Sequence, residues 1–311
     1  MTILAPGLRY VDVRFQGAPL IIATAVLDSP GGVALIDPGP ASCLPQLINS
    51  LEAGGVSTRE IQAILLTHIH LDHAGATGTL VREHPHIRVF VHERGAPHMI
   101  DPTKLMSSAS RIYGEDQMDS LWGPMVPVPA ANITTLAGGE KIDAAGRRLD
   151  VLYTPGHASH HVSYFDPQSR FAFVGDVGGI RLGTAPFVMP PTPPPDIDIE
   201  MWVASVERVL AWHPSTLFLT HFAAVDHPVP HMKQVIERLH FLAKLSKDIL
   251  GREGSDAEKS AMFVAELRRE LRRELNEPDA SRYELAVAAD HCWMGLVRYW
   301  QKRSAAAKAG G

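Results

Sequence analysis

Over its first two thirds the chain alternates short apolar runs with stretches rich in Gly and Pro. Residues 20–28 and 33–37 are apolar and flank Ser29-Pro30-Gly31-Gly32, the pattern of a hairpin. Leu44, Leu47, Ile48 and Leu51 recur at helical spacing, and Gly54-Gly55 stops that helix. Residues 61–67 (IQAILLT) read as a buried strand, as do 88–92, 149–154, 171–175 and 216–220. Helical stretches separate several of these, the clearest at 199–212, where Trp202, Val203, Val206, Val209 and Leu210 share one side. Such mixing predicts a layered α/β domain over residues 1–230.

Beyond His231 the period changes. Val235, Ile236, Leu239, Leu242 and Leu245 repeat with helical spacing and no strand pattern follows. Capping boxes at Ser255/Glu258 and Ser281/Glu284 predict two more helix starts. Residues 231–303 therefore read as an all-helical C-terminal extension, and 304–311 as a flexible tail. The sequence LRRELRREL at 267–275 invites a nucleic-acid reading. Residues 252–279, however, hold six basic and eight acidic side chains, which favours a salt-laced exposed face.

Composition narrows the class. With 45% hydrophobic and 20% charged residues, the 311-residue chain is neither collagen-like, coiled-coil nor disordered, and its length fits one large domain with an appendage. A formal charge of −5 supplies no basic footprint for nucleic acid. Cys43 and Cys292 are too far apart in sequence to staple the fold and are expected as free thiols. The N-terminal residues lack a secretory pattern and no apolar run approaches the roughly 20 residues that cross a bilayer, so a cytoplasmic protein without membrane contact is expected. The unusual figure is 16 histidines.

Four of the relevant side chains crowd together as His68-Ile69-His70-Leu71-Asp72-His73, directly after the apolar run at 61–67. Imidazole nitrogen and carboxylate oxygen are what borderline divalent ions such as Zn²⁺ accept. One tetrahedron cannot easily take all four side chains at this spacing, so two ions sharing the cluster is the natural arrangement. Small residues follow, Ala74-Gly75-Ala76, and permit close backbone approach. Further ligands stand after other apolar runs: His157 after 149–154, Asp176 after 171–175, and His221 after 216–220. A carboxylate such as Asp176 can give one oxygen to each metal.

Four motifs, THIHLDHAG at 67–75, TPGHASHH at 154–161, FVGD at 173–176 and LTH at 219–221, together resemble the metallo-β-lactamase superfamily. The resemblance spans about residues 20–225. It implies a four-layer αββα sandwich with a dinuclear centre at one edge of its two sheets. It further implies one metal on His68, His70 and His157 and a second on Asp72, His73 and His221, with Asp176 between them. His161 and Asp37 match family positions that orient ligands, His161 by hydrogen bonding and Asp37 by holding the turn beside the site. The remaining ten histidines, among them His84, His86, His98 and His231, are read as surface or satisfied core residues.

The chemistry implied is hydrolysis. Two divalent cations about 3.5–4 Å apart share a water and lower its pKa towards neutrality, while Asp72 or Asp176 orients it and takes its proton. Zinc is the expected metal, with iron or manganese as competitors. The helical extension resembles that of glyoxalase II-like thioesterases, although Tyr283, Lys302 and Arg303 do not make a recognisable glutathione-binding cluster. Residues 95–128 carry Met106, Tyr113 and Trp122, and Phe187 opens the stretch FVMPPTPPP. These four are the candidate pocket residues, in a lid or wall suited to a moderately hydrophobic small-molecule substrate. The expected substrates are carboxylic esters, lactones or thioesters, with phosphotriesters as a promiscuous addition. A nuclease-type phosphodiesterase and a mononuclear-iron persulfide dioxygenase are the alternatives. Trp293, Leu296 and Trp300 face either a homodimer partner or the chain's own core.

Overall fold

The computed structural model describes residues 1–183 and 187–309. Its first sheet runs, in spatial and chain order alike, β1 (Thr2–Ala5), β2 (Leu8–Asp12), β3 (Ala23–Ser29), β4 (Gly32–Ile36), β5 (Ile61–Leu65), β6 (Arg88–His92) and β7 (Ile133–Leu136). Pairing is antiparallel as far as β4 and parallel from β4 to β7. The second sheet comprises β8 (Lys141–Ala144), β9 (Arg147–Tyr153), β10 (Val162–Asp166), β11 (Phe171–Phe173), β12 (Thr216–Leu219) and β13 (Ala223–Val225), in reverse spatial order. Only β11 and β12 pair in parallel there.

The sheets pack face to face through complementary sizes. Ala23, Ala25, Ala34 and Ala63 of the first sheet share a buried cluster with Tyr164, Phe173 and Phe218 of the second. Alternation along β4 sends Ala34 and Ile36 into this cluster and Val33 and Leu35 to the opposite face. That outer face is covered by α1 (Leu44–Ala53) through Leu44, Leu47 and Leu51. After β5 come α2 (Leu71–Ala74) and α3 (Thr77–Glu83), and after β6 come α4 (Ala96–Ile100), α5 (Thr103–Tyr113) and α6 (Glu115–Leu121). The second sheet's outer face is covered by α7 (Ile199–Leu210), which buries Trp202, Val206 and Val209. The layers are thus helix, sheet, sheet, helix.

The C-terminal helices are α8 (Pro228–Leu250), α9 (Asp256–Glu274), α10 (Glu277–Ala286) and α11 (Ala289–Ala309). Ser255 and Glu258 form the capping box expected at the start of α9. The Ser281 box is not a helix start: Ser281 lies within α10, whose cap is Asn276, its side chain accepting from the Asp279 N–H. Helix α8 begins at Pro228, ahead of the boundary placed at 231, because proline at its first turn sacrifices no helical hydrogen bond. The tail expected from Ser304 instead continues α11 to Ala309. On α9, Arg269, Arg272 and Arg273 all form ion pairs with glutamates. Trp293 packs on Phe263 and the Trp300 indole donates to Ser246. Cys43 and Cys292 are free and buried.

Candidate metal centre

Strands β9, β11 and β12 run in one direction, and the ends of β4 and β5 meet theirs at one edge of the sandwich. There Val162 N donates to Thr67 O at 2.8 Å and Ala23 N to Thr220 O at 2.8 Å, stitching the sheets together. Every candidate ligand lies just past one of these strand ends. The segment leaving β5 supplies His68, His70, Asp72 and His73; the other sheet supplies His157, Asp176 and His221.

These seven side chains fall into two sets. In the first, His68 Nε2 and His157 Nε2 stand 2.9 and 3.0 Å from His70 Nδ1. Asp176 Oδ2 faces this set, 3.3 Å from His157 Nε2 and 3.9 Å from His68 Nε2. In the second, Asp72 Oδ2 is 3.2 Å from His221 Nε2 and 3.5 Å from His73 Nε2. Asp176 Oδ1 faces these, at 3.2 Å from His73 Nε2 and 3.6 Å from His221 Nε2. One carboxylate therefore offers a separate oxygen to each set.

The far nitrogens fix how the rings present themselves. His157 Nδ1 donates to Pro191 O at 3.0 Å, His221 Nδ1 to Ile21 O at 2.8 Å, and His73 Nδ1 to Asp37 Oδ2 at 2.8 Å. His68 Nδ1 donates to Thr67 Oγ1 at 3.1 Å, because that hydroxyl gives its own proton to Asp37 Oδ2 at 2.7 Å. These partners assign the tautomers, and each leaves a lone pair on Nε2 pointing inward. Two of the converging atoms, His73 Nε2 and Asp176 Oδ1, are buried without a hydrogen-bond partner. Buried polar atoms of this kind need a partner, and a divalent cation suits a donor set of imidazoles and carboxylates.

Electrostatics divide the sets. Burial, reinforced by neighbouring imidazoles, lowers His68 well below the usual histidine range and His70 to about 4. Burial also opposes charge on His73, yet Asp176, Asp72 and Asp37 outweigh it and raise His73 well above that range. Burial alone would raise Asp72, but His73 and His221 hold it at about 2. The second set is thus a strong trap for positive charge.

Asp37 does more than hold its turn. It accepts from Thr67 N, Thr67 Oγ1, His73 Nδ1 and Thr220 Oγ1, all at 2.7–2.8 Å, and so ties β4, β5 and β12 to one ligand. Among the described residues His161 makes no hydrogen bond to any of the seven and lies behind them instead. Its Nδ1 pairs with Thr154 Oγ1 at 2.8 Å, while its ring stacks on His68 at 5.1 Å. Gly175, at φ +45°, keeps this arrangement open, because a Cβ there would lie 2.6 Å from Thr67 Oγ1 and 2.8 Å from His161 Nε2.

A cavity of about 430 Å³ opens beside both sets. Tyr113 and Trp122 line it, as expected, but Met106 and Phe187 do not. Met106 sits one residue round α5 from the lining Leu105, about 100° away on the helix. Phe187 is buried under the Arg238 guanidinium, 4.4 Å from its ring centroid, and against Tyr283. The sequence reading passed over Ile112, Lys104, His98, Arg94 and His160, all of which line the cavity. Only helical phase along α5 could have signalled the first two. Tyr283 is buried and fastens Leu182 N and Phe187 O. Lys302 donates to Pro195 O and Arg303 pairs with Glu200.

The metallo-beta-lactamase superfamily model matches residues 17–221. The chain belongs to this superfamily. A metallo-beta-lactamase fold-containing protein of Sulfurisphaera tokodaii, ST1585, is 29% identical over 184 residues, 58% of this chain and 68% of its own. The solved structure of the family protein TTHA1429 from Thermus thermophilus superposes with a TM-score of 0.71 at 21% identity, covering 97% of this chain and 95% of that one. A hydroxyacylglutathione hydrolase of Legionella pneumophila is 24% identical over 155 residues, 49% of this chain and 45% of the enzyme. The match to the hydrolase therefore spans less than half of that protein. Like its superfamily motifs, the His/Asp cluster here is of the kind that binds divalent metal. Among the described residues no helix is long and apolar enough to cross a membrane.

Proposed function

We propose that the protein is a dinuclear metal-dependent hydrolase of carboxylic esters, lactones or thioesters. The observation that carries this reading is the division of seven side chains about Asp176, one carboxylate oxygen facing each set. In this reading His68, His70 and His157 hold one cation, Asp72, His73 and His221 the other, and Asp176 both. Zinc suits the mixed imidazole and carboxylate donors, with iron and manganese next. Such ions supply Lewis acidity and make water a nucleophile near neutral pH. The matching segment of hydroxyacylglutathione hydrolases supports a hydrolase, and the largely apolar cavity supports an acyl substrate.

The chain's own groups then divide the work. Both carboxylates line the cavity, the Asp72 side chain 23% exposed and that of Asp176 5%. Asp72, the more exposed, is thus the carboxylate placed to accept a hydrogen bond from the reacting water and orient it, and Asp176 holds the two halves in register. Water oxygen bonds to the acyl carbon and the bond from that carbon to oxygen or sulfur breaks. One proton goes to the leaving group and the other leaves with the ionising acid product.

The test is metal content by plasma mass spectrometry, on protein purified without a histidine tag, together with hydrolysis of ester, lactone and thioester panels. About two ions per chain, and loss of at least about 100-fold in kcat/KM for His70→Ala and Asp176→Ala with the fold retained, are expected. A single iron per chain, or full activity in either variant, overturns the reading.

A further inference from the structure

Helix α5 lays one face along the cavity. Its lining residues are Lys104, Leu105, Ser108, Ala109, Ile112 and Tyr113, the i, i+1, i+4 recurrence of a single helical stripe. Nine residues separate Lys104 from Tyr113, roughly 14 Å along the axis at about 1.5 Å each. The two ends differ in chemistry.

At the Lys104 end stand Arg94, His98, Ser159 and His160. Arg94 lies over the Tyr153 ring at 6.0 Å, and Tyr153 Oη donates to Ser159 O at 2.9 Å, which brings the 94–104 segment against the turn after His157. Among the described residues Lys104, Arg94 and His98 form no ion pair. Two carboxylates lie near them without pairing: Asp101 accepts from Thr103 N and Oγ1 at 3.1 and 2.6 Å, and the cavity-lining Asp196 from Ser159 Oγ. Arg94 and Lys104 are thus two cations at the edge of a cleft with no ion-pair partner, and such groups draw anions.

At the Tyr113 end the wall is mostly apolar and aromatic, with the His291 ring 4.9 Å from that of Tyr113. The Tyr113 ring meets Trp122 edge-on at 5.0 Å, and Trp122 stacks on Phe15 at 5.3 Å. Ile21 and Ile22 complete it, and Ile21 O is the acceptor that orients His221. His221 Nε2 in turn stands 3.2 Å from Asp72 Oδ2, whereas the His160 ring lies 5.6 Å from that of His70, which meets His157 at 4.8 Å. The apolar end therefore adjoins Asp72 and His221, and the cationic end adjoins His70 and His157.

We infer that the cavity takes an amphiphilic ester or thioester in one direction, its apolar acyl group against Tyr113, Trp122 and Phe15 and its anionic leaving group against Arg94 and Lys104. This rests on the hydrolase reading for the bond broken but not for the way the ligand lies. An acyl carbon seated between the two residue sets places the broken bond between the cationic and apolar ends.

Two measurements on the metal-loaded full chain separate these layers. The first is fluorescence titration with an apolar anion, 8-anilinonaphthalene-1-sulfonate, and its uncharged analogue N-phenyl-1-naphthylamine. The Arg94→Ala/Lys104→Ala double variant, altered only at exposed residues, is expected to cut the preference for the anionic dye about tenfold, and Ile112→Glu to weaken both dyes. The second compares the hexanoyl ester of 4-hydroxybenzoate with monobenzyl succinate, in which the charge sits on the acyl side. The aryl ester is intrinsically the more reactive, so the readout is the ratio between proteins: wild type is expected to favour the former, and the double variant to lower that kcat/KM ratio at least tenfold. An unchanged dye preference, or faster cleavage of the succinate, overturns the inference. Dye discrimination without hydrolysis of either ester supports the amphiphile cavity and overturns the hydrolase reading instead.

Discussion

Asp37 shows how a residue that touches no substrate can govern a site. Its carboxylate holds the His73 ring and two threonines that end different strands. Asparagine keeps the shape but loses the charge that favours a proton on His73 Nδ1. Asp37→Asn is expected to weaken retention of the cation at the Asp72/His73/His221 set by about 10- to 100-fold, measured by chelator competition; unaltered retention refutes this orienting role. His231 makes a separate point about pH. Its Nε2 donates to Gly178 O at 2.7 Å, and burial lowers it to about 4. A histidine depressed on folding stabilises the protein fully above its unfolded value near 6.5, and that contribution is lost as pH falls towards 4. Urea unfolding of chelated protein should show about 2–3 kcal/mol less loss of stability between pH 7 and 4.5 in His231→Gln than in wild type. Parallel curves would show that this imidazole does not drive the acid sensitivity. The seven ligand candidates were legible because each follows an apolar strand in a short local pattern. The cations at the cavity edge were not, since Lys104 acquires meaning only through the phase of α5 and Arg94 only through the fold that sets its segment against Tyr153.

At the level of elements, the sequence reading found strands where apolar runs are uniform and missed those with mixed faces. β8 reads KIDA, with only Ile142 and Ala144 buried, and β13 has three residues, too few for any periodicity. β10 is fully buried but reads VSYFD, because Ser163 pairs with Thr154 and Asp166 with Arg147 inside the protein. Tertiary partners made those polar residues compatible with a core strand, and no local rule supplies such partners. The capping-box error has a similar origin. Glu284 does not turn back to Ser281 but takes Arg272 of α9 at 2.6 Å. The two candidate caps make opposite predictions. Asn276→Ala should cost about 1 kcal/mol of stability, whereas Ser281→Ala, exposed within α10, should stay within about 0.5 kcal/mol. Equal losses in denaturant midpoints would contradict the assignment of Asn276 as the cap.

At the scale of the molecule, the proposed metal-loaded centre is also a clasp. His68, His70, Asp72 and His73 belong to the connection leaving the first sheet, while His157, Asp176 and His221 belong to the second. Each set draws ligands from both, so a cation in either set joins the sheets at this edge. At the same edge, among the described residues, the backbone bonds that cross between them include Val162 N to Thr67 O and Ala23 N to Thr220 O. Away from it, Arg147 Nη1 donates across to Gly7 O at 2.7 Å, and between these points lies the apolar cluster of alanines and aromatic rings. Metal removal should therefore act locally as well as globally. Binding only to the folded state at about 1,000 times the dissociation constant adds roughly 4 kcal/mol, so chelation should lower Tm by several degrees. Hydrogen exchange followed by mass spectrometry distinguishes a clasp from a uniform ligand effect. With metal removed, under conditions where exchange proceeds through local opening, protection should fall first in peptides containing Ala23 and Val162 and in the 67–76 segment. Peptides from β1, β8 and α9, which hold no ligand, should keep theirs. Equal deprotection of both groups would mean that the cations stabilise the fold only by mass action, and the centre would then be a site carried by the sandwich rather than one of its fastenings.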